Sequence, residues 1–292
     1  MHIRPRAVMV AACSAGVFWL AATPSSGQSP SAGPFPAYTA PRTADGKPNL
    51  NGIWQSLTTA NWDVQAHGAQ PGPHPEIMGA WGAAPGGQSI VEGGEIPYRP
   101  EALARKKENL ENRMKVRVTN DPHRYDTGEP ELQCYRPGVP RANYMPFPFQ
   151  IFQTSSEILI VYEFKGATRS IYMDPHREAP TDSWMGWSNG HWEGDTLVVD
   201  VTSFNDNTWF DRAGNFHSDE LHVVERYTPI SPYHMMYEAT IEDPKVFTRP
   251  WKVRFPLYRR VEENAQLVEF NCVPFVEELM YAPVGLYRPP KK

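Results

Sequence analysis

Beyond residue 157 the chain repeats one pattern, in which apolar and polar side chains alternate with a period of two. Leu197, Val199 and Val201 alternate with Val198, Asp200 and Thr202; Tyr233, Met235, Tyr237, Ala239 and Ile241 alternate with His234, Met236, Glu238 and Thr240. Trp251, Val253, Phe255 and Leu257 alternate with Lys252, Arg254 and Tyr258. That period puts successive side chains on opposite faces of an extended strand and is incompatible with a one-faced helix. Ile158 to Phe164, Arg169 to Met173 and Glu220 to Tyr227 read as further strands by composition, and Gln266 to Cys272 reads as the last. Strands joined by short turn signals, with almost no helix between them, predict a mainly β fold built as an antiparallel meander. About eight such strands curl into a lipocalin-like barrel or half-barrel.

Ahead of this region the texture differs. Arg4 and Arg6 precede an apolar run from Ala7 to Ala22 and then small polar residues, the pattern of an export signal ending near Gly27. The run is too short for a transmembrane span, and lipid attachment at Cys13 is the disfavoured alternative. A periplasmic or extracellular location follows. Residues 28–130 are rich in Pro and Gly and read as an irregular wrap, with residues 131–292 as the β-domain. The 30 prolines and 21 glycines of the chain suit many turns rather than a helical bundle. One helix is expected at about 99–115, with Pro100 in its first turn and Ala102, Leu103 and Leu110 as an apolar stripe. In an oxidising compartment the two cysteines left after the leader, Cys134 and Cys272, are expected to form a disulfide.

Chemistry-bearing side chains concentrate between Thr181 and Tyr227. Asn189-Gly190 predicts a two-residue hairpin that sets Trp187 opposite Trp192 as a cross-strand pair. The long segment from Phe204 to Ser218 joins two strands that a few residues would connect, and it carries Asp206, Trp209, Asp211, Arg212 and His217, with Asp219 at its exit. Loops of that length in a compact β-domain commonly bind or gate. His217 between carboxylates has the make-up of a general acid or base, with Asp206 or Asp219 to orient it; an Asp–Arg–His hydrogen-bond network tying the loop down is the alternative. Leu221, Val223, Glu225 and Tyr227 share one strand face and His222, Val224 and Arg226 the other, so Arg226 facing the interior near Asp200 would clamp an anion, and a surface ion pair is the alternative.

Other chemistry is excluded by what the chain lacks. A net charge of −5 leaves no electrostatic footprint for nucleic acid or anionic membranes. No histidine or cysteine spacing matches a metal site, and no phosphate-cradling or dinucleotide glycine loop occurs, so no metal or cofactor is expected.

Several motifs resemble those of a family of exported bacterial proteins common in soil bacteria: Asp45 to Trp54, Cys134 to Arg141, Gly190 to Asp200, Phe204 to Trp209, His217 to Arg226 and Ile241 to Trp251. The resemblance covers most of the chain beyond the leader. It implies export and places both cysteines inside shared motifs, but it implies no particular reaction. The chain departs from that pattern at Arg177-Glu-Ala179-Pro180, where such proteins carry Arg-x-His-Pro, and after Cys272, where Cys-His-Glu-Gly-Asn is usual.

The functional expectation is an exported enzyme acting on a small sugar-like or cyclic apolar substrate by metal-independent acid–base chemistry, of the lyase, isomerase or hydrolase kind. The barrel mouth would be lined by Trp184, Trp187, Trp192, Trp209, Asp206, His217 and Arg226, with His191 beside the substrate and the tryptophans stacking on a ring. The alternatives are a lipocalin-like carrier that leaves its ligand unaltered, and a structural subunit of the envelope. Oligomeric state is left open.

Overall fold

The computed structural model describes residues 38–71, 83–113, 128–274 and 276. The export signal therefore lies outside the described residues. Nine strands close into a barrel in sequence order: β1 (Gly52–Ser56), β2 (Phe149–Gln153), β3 (Glu157–Tyr162), β4 (Thr168–Met173), β5 (Trp187–Glu193), β6 (Thr196–Thr202), β7 (His222–Pro229), β8 (His234–Glu242) and β9 (Trp251–Arg259). The mainly β barrel read from the alternation is the observed architecture. Among the described residues no helix is long and apolar enough to cross a membrane.

An odd number of strands cannot reverse direction at every step around a closed ring, so at least one neighbouring pair has to be parallel. Here it is β4 and β5, with Ile171 level with Ser188; the other pairs, including the closing pair β1–β9, are antiparallel. The connection between β4 and β5, residues 174–186, is therefore a return along the barrel rather than a hairpin.

Three expectations need correction. The segment read as irregular wrap contributes β1, because Ile53 and Trp54 have the strand-forming side chains to bridge β2 and β9 and the burial to match, at 7% and 1% exposure. The stretch from Gln266 to Cys272 is not a strand; it forms no ladder with another strand, and Val268 N–H donates to the Glu163 carboxylate at 3.0 Å instead. The Asn189-Gly190 hairpin does not form, since both residues lie mid-strand in β5, opposite Asp200 and Val199. The turn sits instead at Gly194-Asp195, where Gly194 takes φ +59°, a conformation open to glycine at little steric cost.

One end of the barrel is capped by three pieces: helix α1 (Pro100–Asn112), the loop from Ser203 to Leu221, and the turns of residues 128–145. Proline at the first helical positions starts α1. Its expected apolar stripe is only partly used: Ala102 is buried, whereas Leu103 and Leu110 are each 39% exposed. Contact with the loop is made by polar side chains and by backbone: Asn109 Nδ2 donates to the Gly214 carbonyl at 3.2 Å, and the Arg105 guanidinium lies 4.6 Å over the Phe216 ring. Gly214, at φ +86°, comes so close to α1 that a Cβ there would lie 2.7 Å from the Lys106 carbonyl oxygen. Cys134 and Cys272 form the expected disulfide, with α-carbons 5.7 Å apart.

Candidate functional site

Alternation decides which side chains meet. Ser188 on β5 accepts a hydrogen bond from Arg169 Nε at 2.8 Å inside the barrel, so Ser188, Gly190 and Trp192 face inward and Trp187, Asn189 and His191 face outward. Trp187 and Trp192 are thus on opposite faces of one strand, not paired across two. Likewise Glu225 points in and Arg226 points out, where Arg226 pairs with Glu193 at 2.9 Å. Arg226 is the surface ion pair, not the interior clamp.

At the level of Glu225 the interior is occupied by side chains. Arg169 on β4 reaches across to Glu225 on β7 with both terminal nitrogens, at 3.1 Å to Oε1 and in a second short contact to Oε2. Glu225 Oε1 also accepts from Asn143 Nδ2, Tyr227 OH and Tyr237 OH at 3.0, 3.0 and 2.8 Å, and Tyr162 donates to Asn143 Oδ1 at 3.1 Å. Burial raises the Tyr227 and Tyr237 phenols well above their usual value and lifts Tyr162 to about 12, so these phenols stay protonated and donate. A fully bonded, fully buried set of this kind is a strut.

The cap holds the residues expected to line a mouth. His217 is 1% exposed. Its Nδ1–H donates to the Ser218 carbonyl at 2.8 Å, and Nε2 accepts from the Thr208 hydroxyl at 2.5 Å. Burial lowers its pKa despite the Ser218 carbonyl, so the ring is neutral with both nitrogens engaged. Neither expected orienting carboxylate touches it: Asp206 is exposed, and Asp219, held low by its hydrogen bond from Lys245 at 2.8 Å, faces solvent. His217 is tied into the loop by Thr208 and the Ser218 carbonyl, not by the aspartate and arginine of the anticipated network. Trp209 packs against the core, and its carbonyl accepts from Arg141 at 3.5 Å. Nearby, Asp211 accepts four N–H donors, from Val64, Ala213 and Asn215. Burial and the charge of Asp63 push it up to about 7 against those donors.

Replacing His217 by alanine should cost about 2–3 kcal/mol, from the cavity and from the partnerless Thr208 hydroxyl and Ser218 carbonyl. Because a lowered histidine pKa favours the native state only while the ring is neutral, the wild-type stability should fall as pH drops below about 6.5 relative to that of His217→Ala. Urea denaturation of both proteins between pH 5 and 8 measures this.

The accessible titratable groups lie elsewhere, on the outer face of β5, β6 and β7. His222 Nε2–H donates to Asp200 Oδ2 at 3.1 Å, and Nδ1 lies 3.8 Å from Glu242. The strand register explains the grouping: Asp200 is opposite Asn189, and His222 is opposite Glu242 and diagonal to Asp200. The hydrogen bond from His222 holds the Asp200 carboxyl below its usual value, and the same bond raises His222. His176 and His191 are near enough to add to the pull on Asp200. The side chains of His222 and Asp200 remain 36% and 42% exposed.

The return segment packs beside this surface. The backbone of Arg177 exchanges hydrogen bonds with the Asn189 side chain at 2.9 and 3.0 Å and accepts from Trp187 Nε1 at 2.8 Å. Trp187 stacks on Tyr172 at 4.8 Å between centroids, and the Arg177 guanidinium lies 4.4 Å over Tyr172. The structure thus brings Trp187, His191 and Arg226 to one surface, with Asp200 and His222. It leaves Trp192 on the inward face and His217 and Trp209 in the cap, and sets Trp184 against Tyr135 at 5.0 Å. The sequence pattern sets Asp200 near Arg226 and His222 on the same strand face as Arg226, without joining the two. Their shared face was readable from alternation, but their pairing needed the β6–β7 register. Among the described residues no group of three or more His, Cys, Asp or Glu side chains is placed to hold a metal ion.

Comparison of the chain with family models, with curated proteins and with solved structures finds no match.

Proposed function

We propose that this is an exported enzyme that acts on a small cyclic organic substrate by acid–base chemistry, carried by His222 and Asp200 on the outer face of the barrel. The observation that carries the reading is the half-exposed imidazole bonded to Asp200 at 3.1 Å beside an aromatic surface. A histidine raised by a carboxylate keeps its proton to higher pH than a free imidazole and is able to give it up, and its conjugate base is able to take one back. Trp187 supplies a flat apolar face of the kind on which sugar and other rings stack. The disulfide supports export, since such bonds persist in oxidising compartments.

The experiment is a turnover screen over glycosides, ring-bearing esters and cyclic alcohols in the presence of chelator. Activity should fall ~10²–10⁴-fold in His222→Gln with an unchanged melting temperature. It should persist below the raised His222 pKa and fade as pH rises through it, and fade again at low pH as Asp200 takes up a proton. A ligand that quenches Trp187 fluorescence but is recovered unchanged would make the protein a carrier instead. Turnover that survives His222→Gln would sink the assignment.

A further inference from the structure

The two ring nitrogens of His222 are used unequally. Nε2–H donates to Asp200 Oδ2 at 3.1 Å, and that bond selects the neutral tautomer whose Nδ1 carries a lone pair. Nδ1 itself makes no hydrogen bond with the described residues and is open to solvent, on a side chain 36% exposed. Across from it stands Glu242, with Oε2 3.8 Å from Nδ1 and the side chain 57% exposed. The strand register sets this pair up, because His222 and Glu242 are opposite one another on β7 and β8.

A separation of 3.8 Å is too long for a direct hydrogen bond and is a gap that water can bridge. Both groups bounding it accept: a lone pair on one side, a carboxylate on the other. A hydroxyl has one hydrogen and satisfies one of them. A water has two and satisfies both, with its oxygen lone pairs left facing outward. A plain surface ion triad accounts for an imidazole lying between two acids. It does not account for one direct bond and one gap, since a protonated Nδ1–H would close onto Glu242 as Nε2–H does onto Asp200.

Trp187 lies in the same row. It is opposite Thr202, and Thr202 is one step beyond the Val201–Val223 pair, which sets it opposite His222. Two strand spacings, about 10 Å, therefore separate the backbone of Trp187 from that of His222, room for a ring on the tryptophan and a short polar group beside the base.

Resting on the assignment of acid–base chemistry to His222 and Asp200, we propose that the reaction is hydrolysis of a carboxylic ester of a cyclic alcohol, with the attacking water held between His222 Nδ1 and Glu242. Nδ1 takes one proton of the water as its oxygen bonds to the acyl carbon. The same proton passes to the alcohol oxygen as the acyl C–O bond breaks, so one ester and one water give one acid and one alcohol. Asp200 is a positioning residue, acting through Nε2–H. An ester suits this base, because attack on an acyl carbon is helped by deprotonating water, whereas an acetal leaves only with its oxygen protonated.

The probe is cyclohexyl acetate, turned over with chelator present in water carrying the heavy oxygen isotope. The label is expected in the acetate and not in the cyclohexanol. Glu242→Ala should lower kcat at least ~10-fold with KM and melting temperature little changed, and Glu242→Gln, whose amide oxygen still accepts, should lose less. Long-range proton–nitrogen NMR, recorded above the His222 pKa, should find the neutral ring protonated at Nε2. A neutral ring protonated at Nδ1 would overturn the proton path whatever the turnover. If His222→Gln is inactive while Glu242→Ala matches the wild type, or the acetate is unlabelled, the water site falls and the acid–base assignment stands. His222-dependent turnover of a glycoside or cyclic alcohol but not of the ester would overturn the ester assignment alone. Ester turnover that survives His222→Gln, or no turnover of any of these compounds, would overturn both.

Discussion

Replacing Glu225 by glutamine is expected to lower the free energy of unfolding by about 3–5 kcal/mol, the range for breaking a buried ion pair from one side. The reason is Arg169, 3% exposed, whose charge would be left in the barrel interior without its carboxylate. The tyrosine hydroxyls would feel the change less, since the amide oxygen of glutamine still accepts from Tyr227 and Tyr237. It follows that Arg169→Met combined with Glu225→Gln should be more stable than Glu225→Gln alone, because the uncompensated charge has gone. Arg169 and Glu225 are in contact, so the double-mutant cycle should be strongly non-additive. Urea denaturation of the four proteins gives the comparison. Additive losses would mean that the two charges do not stabilise one another.

The second large effect concerns the cysteines. Cys134 and Cys272 are 138 residues apart in sequence, so their bond removes a large loop from the freedom of the unfolded chain. In the chain-entropy model that is worth about 4–5 kcal/mol. Cys134→Ala with Cys272→Ala should lose most of this, measured as a lower urea midpoint at an unchanged or larger slope. Folded-state contacts argue against collapse of the tether itself. Phe270 packs on Phe147 and Phe164 at 4.5 and 5.2 Å between centroids, which keeps the terminal stretch on the barrel when the bond is absent. A double variant as stable as the wild type would show that the unfolded chain is already constrained at these points.

The two effects differ in how visible they were beforehand. The strands were legible because a period of two is a property of single strands: each apolar residue of Leu197 to Val201 or Trp251 to Leu257 declares its own face. The disulfide was legible by elimination, there being two cysteines beyond the expected leader, out of three in the chain. The strut was half legible. Glu225 shares a face with Val223 and Tyr227, which places it inside, but nothing near it in the chain points to Arg169, 56 residues away.

The Asn189-Gly190 pair misled for a specific reason. Asn189 is used to bind the Arg177 backbone, and Gly190 is there for close packing, since a Cβ would lie 2.7 Å from Ile171 and 2.8 Å from Met173. A turn preference worth little on its own gave way to strand pairing on both sides. With the turn at Gly194, Trp187 and Trp192 lie five residues apart on one extended strand and so face opposite ways, where a two-residue hairpin would have put them on one face. That separates those two; Trp184 packs on Tyr135 and Trp209 against the core, apart from both.

Local chemistry alone therefore determined that this chain is mainly β and of barrel type, which faces of β6, β8 and β9 are buried, and that Cys134 pairs with Cys272. Each of those depends on neighbours along the backbone or on a count. Only the tertiary structure decided which strands lie side by side, that β4 and β5 run parallel, that His217 is bonded shut, and that His222 meets Asp200. Those facts depend on register between distant segments, and a hydrogen bond forms or fails over less distance than one residue of slip.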